Sequence, residues 1–166
     1  MASILTAFDT LVTLTITNAN LTNSATAGWM SAVQDYTSTK MLDALVQVNL
    51  SAVNTAPANA KAIFIYAYGL VDGSGSNYTS SGDGTPSGSE GTITFPDYSS
   101  LAVVMPLIGV IPYPVQNKAI SSKPFSIASG FKGILPPKAG ICMINHSGMT
   151  LSVSSIQIRP VYATSA

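Results

Sequence analysis

Charge is what this chain has least of. Only 14 of its 166 residues are formally charged, seven Lys plus Arg and seven Asp plus Glu, where a typical soluble domain carries about a quarter. Its one arginine, Arg159, and six scattered lysines (Lys40, Lys61, Lys118, Lys123, Lys132 and Lys138) form no basic stripe. Phosphate backbones need clustered cations, so nucleic acid is excluded as an expected partner. A single cysteine, Cys142, rules out an intramolecular disulfide and fits synthesis in a reducing cytosol. With one histidine, His146, a zinc site also lacks the N and S ligands it wants. Long apolar runs are missing too. The longest, Leu101 to Ile111, is broken by Pro106 and falls well below the ~20 residues that span a bilayer. Met1-Ala2-Ser3-Ile4-Leu5 has neither the basic flank nor the apolar core of a signal peptide. No membrane partner and no cofactor are expected.

What the chain has instead is hydroxyl groups. Serine and threonine together number 38, so the chain is polar without being ionic. Burying Lys or Glu at a protein contact costs desolvation, whereas hydroxyls pair cheaply across a seam. A net charge of zero also removes the repulsion that keeps soluble proteins apart. This composition favours a surface that sits against other proteins over one that performs chemistry. Ten prolines, thirteen glycines and many Thr, Val and Ile favour strands and turns over helices. The length suits a single domain that buries ~70% of its unfolded surface.

The strand pattern is legible in several places. In residues 10–17, Val12, Leu14 and Ile16 alternate with threonines, the period of a half-buried strand. Leu42 to Val53 repeats the pattern with Val46, Val48 and Leu50 on one face. Ile63-Phe64-Ile65-Tyr66-Ala67-Tyr68 is apolar on both faces, as in a central strand. The short turn between these two predicts an antiparallel hairpin. Asp72 to Gly91, rich in Gly, Ser and Thr, predicts an exposed, mobile loop carrying Asp72, Tyr78, Asp83 and Glu90. Further strands are expected at 92–95, 122–128 and 141–145, and Leu101 to Ile111 reads as a buried run bent at Pro106. Leu151 and Val153 differ in parity from Ile156 and Ile158, which a β-bulge near Ser154-Ser155 would reconcile. The expected fold is all-β, a jelly-roll-like antiparallel β-sandwich with an extended N-terminal arm. Residues 1–27 form the arm and first strand and 28–166 the sandwich, one domain in all.

Candidate sites are few. His146, beside Ser147 and Gly148, reads as a turn residue, because no carboxylate stands at an informative spacing for a triad. Cys142, between Ile141 and Met143, reads as a small core hydrophobe. Asp72, Asn77, Asp83 and Glu90 offer oxygen ligands but miss the spacing of a calcium loop. The glycines there form no phosphate cradle. Tyr66, Tyr68, Tyr78, Tyr98 and Tyr113 suit either a core and protein seam or a sugar-stacking platform. Leu11, Leu14, Trp29, Tyr36, Tyr98 and Tyr113 are the candidate contact residues. No catalytic, cofactor-binding or metal-binding residues are expected, and the chain is read as a non-enzyme.

Several stretches, in order, resemble a family of small virion structural proteins from tailed bacteriophages. These are Gly28-Trp29-Met30-Ser31-Ala32-Val33, Met41-Leu42-Asp43-Ala44-Leu45-Val46, and Ile63-Phe64-Ile65-Tyr66-Ala67-Tyr68-Gly69 with Asp72-Gly73. Leu107-Ile108-Gly109-Val110-Ile111, Lys123-Pro124-Phe125-Ser126-Ile127-Ala128, Leu135-Pro136-Pro137-Lys138-Ala139-Gly140 and Asn145-His146-Ser147-Gly148 follow. The chain departs from the pattern at Ala139-Gly140, where such chains tend to carry an aromatic before the glycine. The resemblance implies a capsid decoration (cement) protein, made in the host cytoplasm and bound as a homotrimer to the outer capsid surface. Its partners would be the major capsid protein and further copies of itself. A carbohydrate-binding or host-adhesion module of a virion fibre is the alternative reading.

Overall fold

The computed structural model describes residues 4–17, 20–37, 41–57, 62–70, 86–96, 101–102, 105–112 and 116–165. They form two antiparallel sheets with almost no helix. The first sheet holds β1 (Ile4–Phe8), β2 (Val12–Thr13), β3 (Asn20–Leu21), β6 (Met41–Leu50), β10 (Ile120–Ser121), β11 (Phe125–Ser126) and β13 (Leu151–Ser165). Its order is β1-β13-β6-β10, with β2 and β3 continuing along β13 and β11 along β6. The second holds β4 (Ala27–Met30), β5 (Gln34–Asp35), β7 (Ala62–Leu70), β8 (Gly91–Thr94), β9 (Leu107–Pro112) and β12 (Lys138–His146). Its order is β8-β4-β12-β7-β9, with β5 also on β12.

The main core lies between the sheets. Alternation in β6 turns Ala44, Val46, Val48 and Leu50 inward, and Ile156 and Ile158 of β13 lie beside them. Ile63, Ile65 and Ala67 of β7, with Ala139, Ile141 and Met143 of β12, face them from the second sheet. Each such aliphatic side chain contributes about 1.5–3 kcal/mol when fully buried. The expected bulge is present. Val153 pairs with Leu50 and Ser155 with Asn49, so Ser154 is the extra residue. Leu151, Val153, Ile156 and Ile158 are therefore all buried despite their mixed parity.

A second cluster covers the other face of the second sheet. Tyr66 and Tyr68 of β7, Cys142 and Ile144 of β12, Met30 and Ile93 pack under Phe95, Leu101 and Met105. This third layer explains why residues 63–68 are apolar on both faces, as the central-strand pattern predicts. Tyr68 also fixes the segment between β4 and β5, because its hydroxyl donates to the Ser31 carbonyl.

Three expectations need correction. The predicted hairpin between 42–53 and 62–68 does not form. β6 pairs with β13, β10 and β11, while β7 pairs with β12 and β9 in the opposite sheet. A period of two sets the buried face of a strand but not its partner. The strand expected over 122–128 stops at Ser126, and Ile127–Gly130 forms a single helical turn. Ser126 caps it by accepting the Ser129 amide at 3.0 Å. The strand expected over residues 10–17 is ladder-paired only at Val12 and Thr13. The Leu14 amide still reaches the Ile156 carbonyl at 2.9 Å. The N-terminal stretch lies along β13 of its own chain as β1, β2 and β3.

Candidate interaction surface

The sequence-derived contact residues divide sharply. Leu11 is exposed. Leu14, Trp29 and Tyr36 are buried within the chain's own core, so their burial needs no second chain. Tyr98, Tyr113, Asp72, Tyr78 and Asp83 lie outside the described residues. Glu90 lies in the bend just before β8 but is less exposed than the loop reading expected. It is half-buried, and its carboxylate accepts the Thr17 amide at 2.6 Å, the Thr17 hydroxyl at 2.8 Å and the Trp29 indole N–H at 3.1 Å. A carboxylate so engaged anchors the Gly-rich segment's end to the N-terminal stretch and leaves few lone pairs for calcium. Of the tyrosines weighed for sugar stacking, Tyr66 and Tyr68 are buried.

The histidine turn holds a structural network. The fully buried Asn145 donates through Nδ2 to the carbonyls of Leu21 (2.7 Å) and Met149 (2.6 Å). Its Oδ1 accepts the Ser147 amide at 2.9 Å and the Ser147 hydroxyl at 2.6 Å. The one serine beside the histidine therefore gives its proton to an amide and serves the turn. His146 meets Phe64 edge-to-face, with ring centroids 5.9 Å apart. Burial pushes the Cys142 thiol up to about 12, which keeps it protonated and unreactive at neutral pH. Among the described residues no three His, Cys, Asp or Glu side chains gather to hold a metal ion.

What the surface does carry is exposed apolar side chains in two zones. The first runs along the sheet edge: Leu5 (51% exposed), Phe8 (56%), Leu11 (45%) and Val12 (37%), with Leu42 (49%) nearby on β6. Among the described strands β1 packs chiefly on β13. Arg159 stands over the Phe8 ring, its guanidinium carbon 5.8 Å from the centroid, and its Nε donates to the Asp9 carbonyl at 3.3 Å. The second zone comprises Leu107 and Val110 of β9 and Ile134, which is 74% exposed. The helical turn packs on β9, where Gly130 lies against Ile108 and Pro106. Beside Ile134 is a shallow cavity of about 330 Å³ lined by Gly69, Leu70, Phe131, Leu135, Pro136 and Pro137. It presents carbon almost throughout and no charged side chain, so it suits an apolar knob and offers nothing to hold a polar substrate.

Between these zones the surface is stitched by amides and hydroxyls. On β6, Gln47 donates to the Ser122 carbonyl at 2.9 Å and Asn49 to the Ser155 hydroxyl at 2.8 Å. Among the described residues the one ion pair is Lys138 with Asp35, at 3.7 Å. Hydrogen bonds from the Thr37 hydroxyl and amide, then the Lys138 charge, hold the Asp35 carboxyl below its usual range. Composition alone did not show that the exposed apolar residues gather at an edge. The uncharged run Ile4-Leu5-Thr6-Ala7-Phe8 was the available signal.

No family model, curated protein or solved structure matches this chain.

Proposed function

We propose that the chain is a structural virion protein, a capsid decoration protein that binds the outside of an icosahedral phage head as a homotrimer. The observation that carries this reading is the surface itself: exposed apolar residues stand among hydroxyls and amides, with a single ion pair among the described residues. Such a surface loses little on desolvation and suits broad protein contacts. The ordered resemblance across residues 28–153 points the same way. A trimer touching several capsid subunits at once gains affinity by effective concentration, even where each contact is weak. We assign the shell contact to Leu107, Val110 and Ile134.

The strand order supports a jelly-roll topology. Taking β1–β3 as one interrupted strand and β10–β11 as another, and setting aside β5 and β8, which add to the second sheet beside β12 and β4, eight strands fall into two sheets of four. One follows first-eighth-third-sixth (β1–β3, β13, β6, β10–β11) and the other second-seventh-fourth-fifth (β4, β12, β7, β9). That is the order two nested Greek keys produce. The N-terminal arm is here an edge of this sandwich.

The test is to add the purified chain to undecorated phage heads and count the copies bound. Saturable binding of trimers, weakened by Ile134→Glu and Leu107→Glu, is expected. A chain that sediments as a monomer and leaves the heads bare would overturn the reading.

A further inference from the structure

β1 ends the first sheet, and among the described residues no strand pairs with its outer edge. The amide of Asp9, just beyond it, donates to the Pro160 carbonyl at 3.0 Å. In an antiparallel strand each residue turns both backbone groups to one side, and successive residues alternate. Leu5 and Ala7 share the parity of Asp9 and turn theirs toward β13. Thr6 and Phe8 therefore aim their N–H and C=O groups outward. Proteins usually blunt such an edge with lysine, proline or a bulge. Residues 4–8 hold no charge and no proline, and they pair with β13 without a register break.

We infer that two copies of this chain join edge to edge through β1, antiparallel about a twofold axis at Thr6. The sequence of the edge is what selects a second copy as the occupant. In this register Thr6 of one copy faces Thr6 of the other, and Leu5 faces Ala7. The hydroxyls then meet each other, and each leucine meets a small apolar side chain. No like charges face each other, and the contact is isologous, so it closes on itself. The outward amides of Thr6 and Phe8 gain carbonyl partners, and the exposed Leu5 and Phe8 side chains lose water. This twofold contact is separate from the threefold association proposed above and does not rest on it.

Thr6→Pro tests the inference with little risk to the fold, because the amide it deletes is the one aimed away from β13. Sedimentation of the full chain should give the wild type at least twice the mass of Thr6→Pro at equal concentration. Phe8→Glu, which sets a charge at each end of the seam, should act likewise. Oxidised Thr6→Cys should run as a covalent dimer on a non-reducing gel, since hydrogen-bonded pairs stand about 5.5 Å apart at Cα, within disulfide reach. Equal masses for wild type and Thr6→Pro, with no cross-linking of Thr6→Cys, would overturn it. The mass that Thr6→Pro retains reads the threefold contact separately: a trimer leaves that reading standing, and a monomer removes it.

Discussion

The Trp29 indole N–H donates to a Glu90 carboxylate oxygen at 3.1 Å, joining the chain's only tryptophan to its only glutamate across 61 residues of sequence. The same carboxylate holds both the amide and the hydroxyl of Thr17. Three segments thus meet at one side chain: the N-terminal stretch, β4 and the approach to β8.

Removing that carboxylate should be costly for a half-buried surface position. Hydrogen bonds to charged groups contribute about 1.5–3 kcal/mol each, but solvent reaches Glu90 and the three bonds share one group. Glu90→Ala is expected to lower unfolding free energy by about 2–3 kcal/mol, and Glu90→Gln, which keeps one acceptor, by about half as much. Denaturant unfolding followed by Trp29 fluorescence measures both. Equal midpoints for wild type and Glu90→Ala would show that the cluster contributes nothing.

Two glycines make a matched pair for a packing test. A Cβ on Gly140 would fall 2.5 Å from Cζ of Tyr68 and 2.6 Å from its hydroxyl oxygen. Tyr68 is almost fully buried and tied to Ser31, so it has nowhere to swing. Gly140→Ala is expected to cost about 2–3 kcal/mol through overpacking and the strained hydroxyl contact. At Gly91 a Cβ meets nothing within 4 Å, and its φ is not positive. Gly91→Ala should be neutral, or stabilising by about 0.4–1 kcal/mol through the unfolded chain. Thermal melts of the two variants should move apart, and parallel shifts would contradict the packing described.

Much of this fold was legible because burial imprints a period of two. Val46, Val48 and Leu50 marked their face, and the parity break between Val153 and Ile156 located the bulge at Ser154. The two-faced run at 63–68 signalled a covered sheet, which Phe95, Leu101 and Met105 complete. Partner choice was not legible, because β6 and β7 are adjacent in sequence yet lie in opposite sheets, and alternation reads the same in either. The helical turn at Ile127–Gly130 was hidden by an apolar Ile127-Ala128 pair that also suits a strand; its signal was Ser126 three residues before Ser129. Glu90 had no local signal at all, since its partners lie 61 and 73 residues away.

High pH should destabilise the chain through groups that burial keeps neutral. Burial moves the Cys142 thiol from 9.0 up to about 12. Above pH 9 the unfolded chain releases this proton while the folded chain retains it. Stability therefore falls as pH rises, by at most about 1.4 kcal/mol per pH unit for one group. Tyr36, raised above 10.0 by burial and then by the Asp43 charge, extends the loss beyond pH 10. Urea midpoints measured from pH 7 to 10.5 should decline from about pH 9. Cys142→Ala should flatten the first part of that decline and Tyr36→Phe the later part. A wild-type slope unchanged in both variants would place the alkaline loss elsewhere.

Salt gives the most direct test of how the proposed capsid contact is held. Ionic contacts weaken as salt rises because the screening length shrinks to about 3 Å at 1 M. Apolar burial is not screened, and excluded salts such as sulfate strengthen it. Leu107, Val110 and Ile134 are all uncharged, and the cavity beside Ile134 is lined by apolar residues and glycine. Occupancy of undecorated heads should therefore hold between 0.05 and ~1 M sodium chloride, and rise in ammonium sulfate below the precipitation point. Charge reversal at Lys138, which pairs with Asp35 on the surface, should shift occupancy by less than about fivefold, since exposed pairs contribute only about 0–1 kcal/mol. Ile134→Glu should cost far more, because docking would then require burying a carboxylate against Phe131, Leu135 and Pro136. Release of the protein by moderate salt, together with unchanged binding of Ile134→Glu, would show that ionic groups make the contact and that this apolar zone does not.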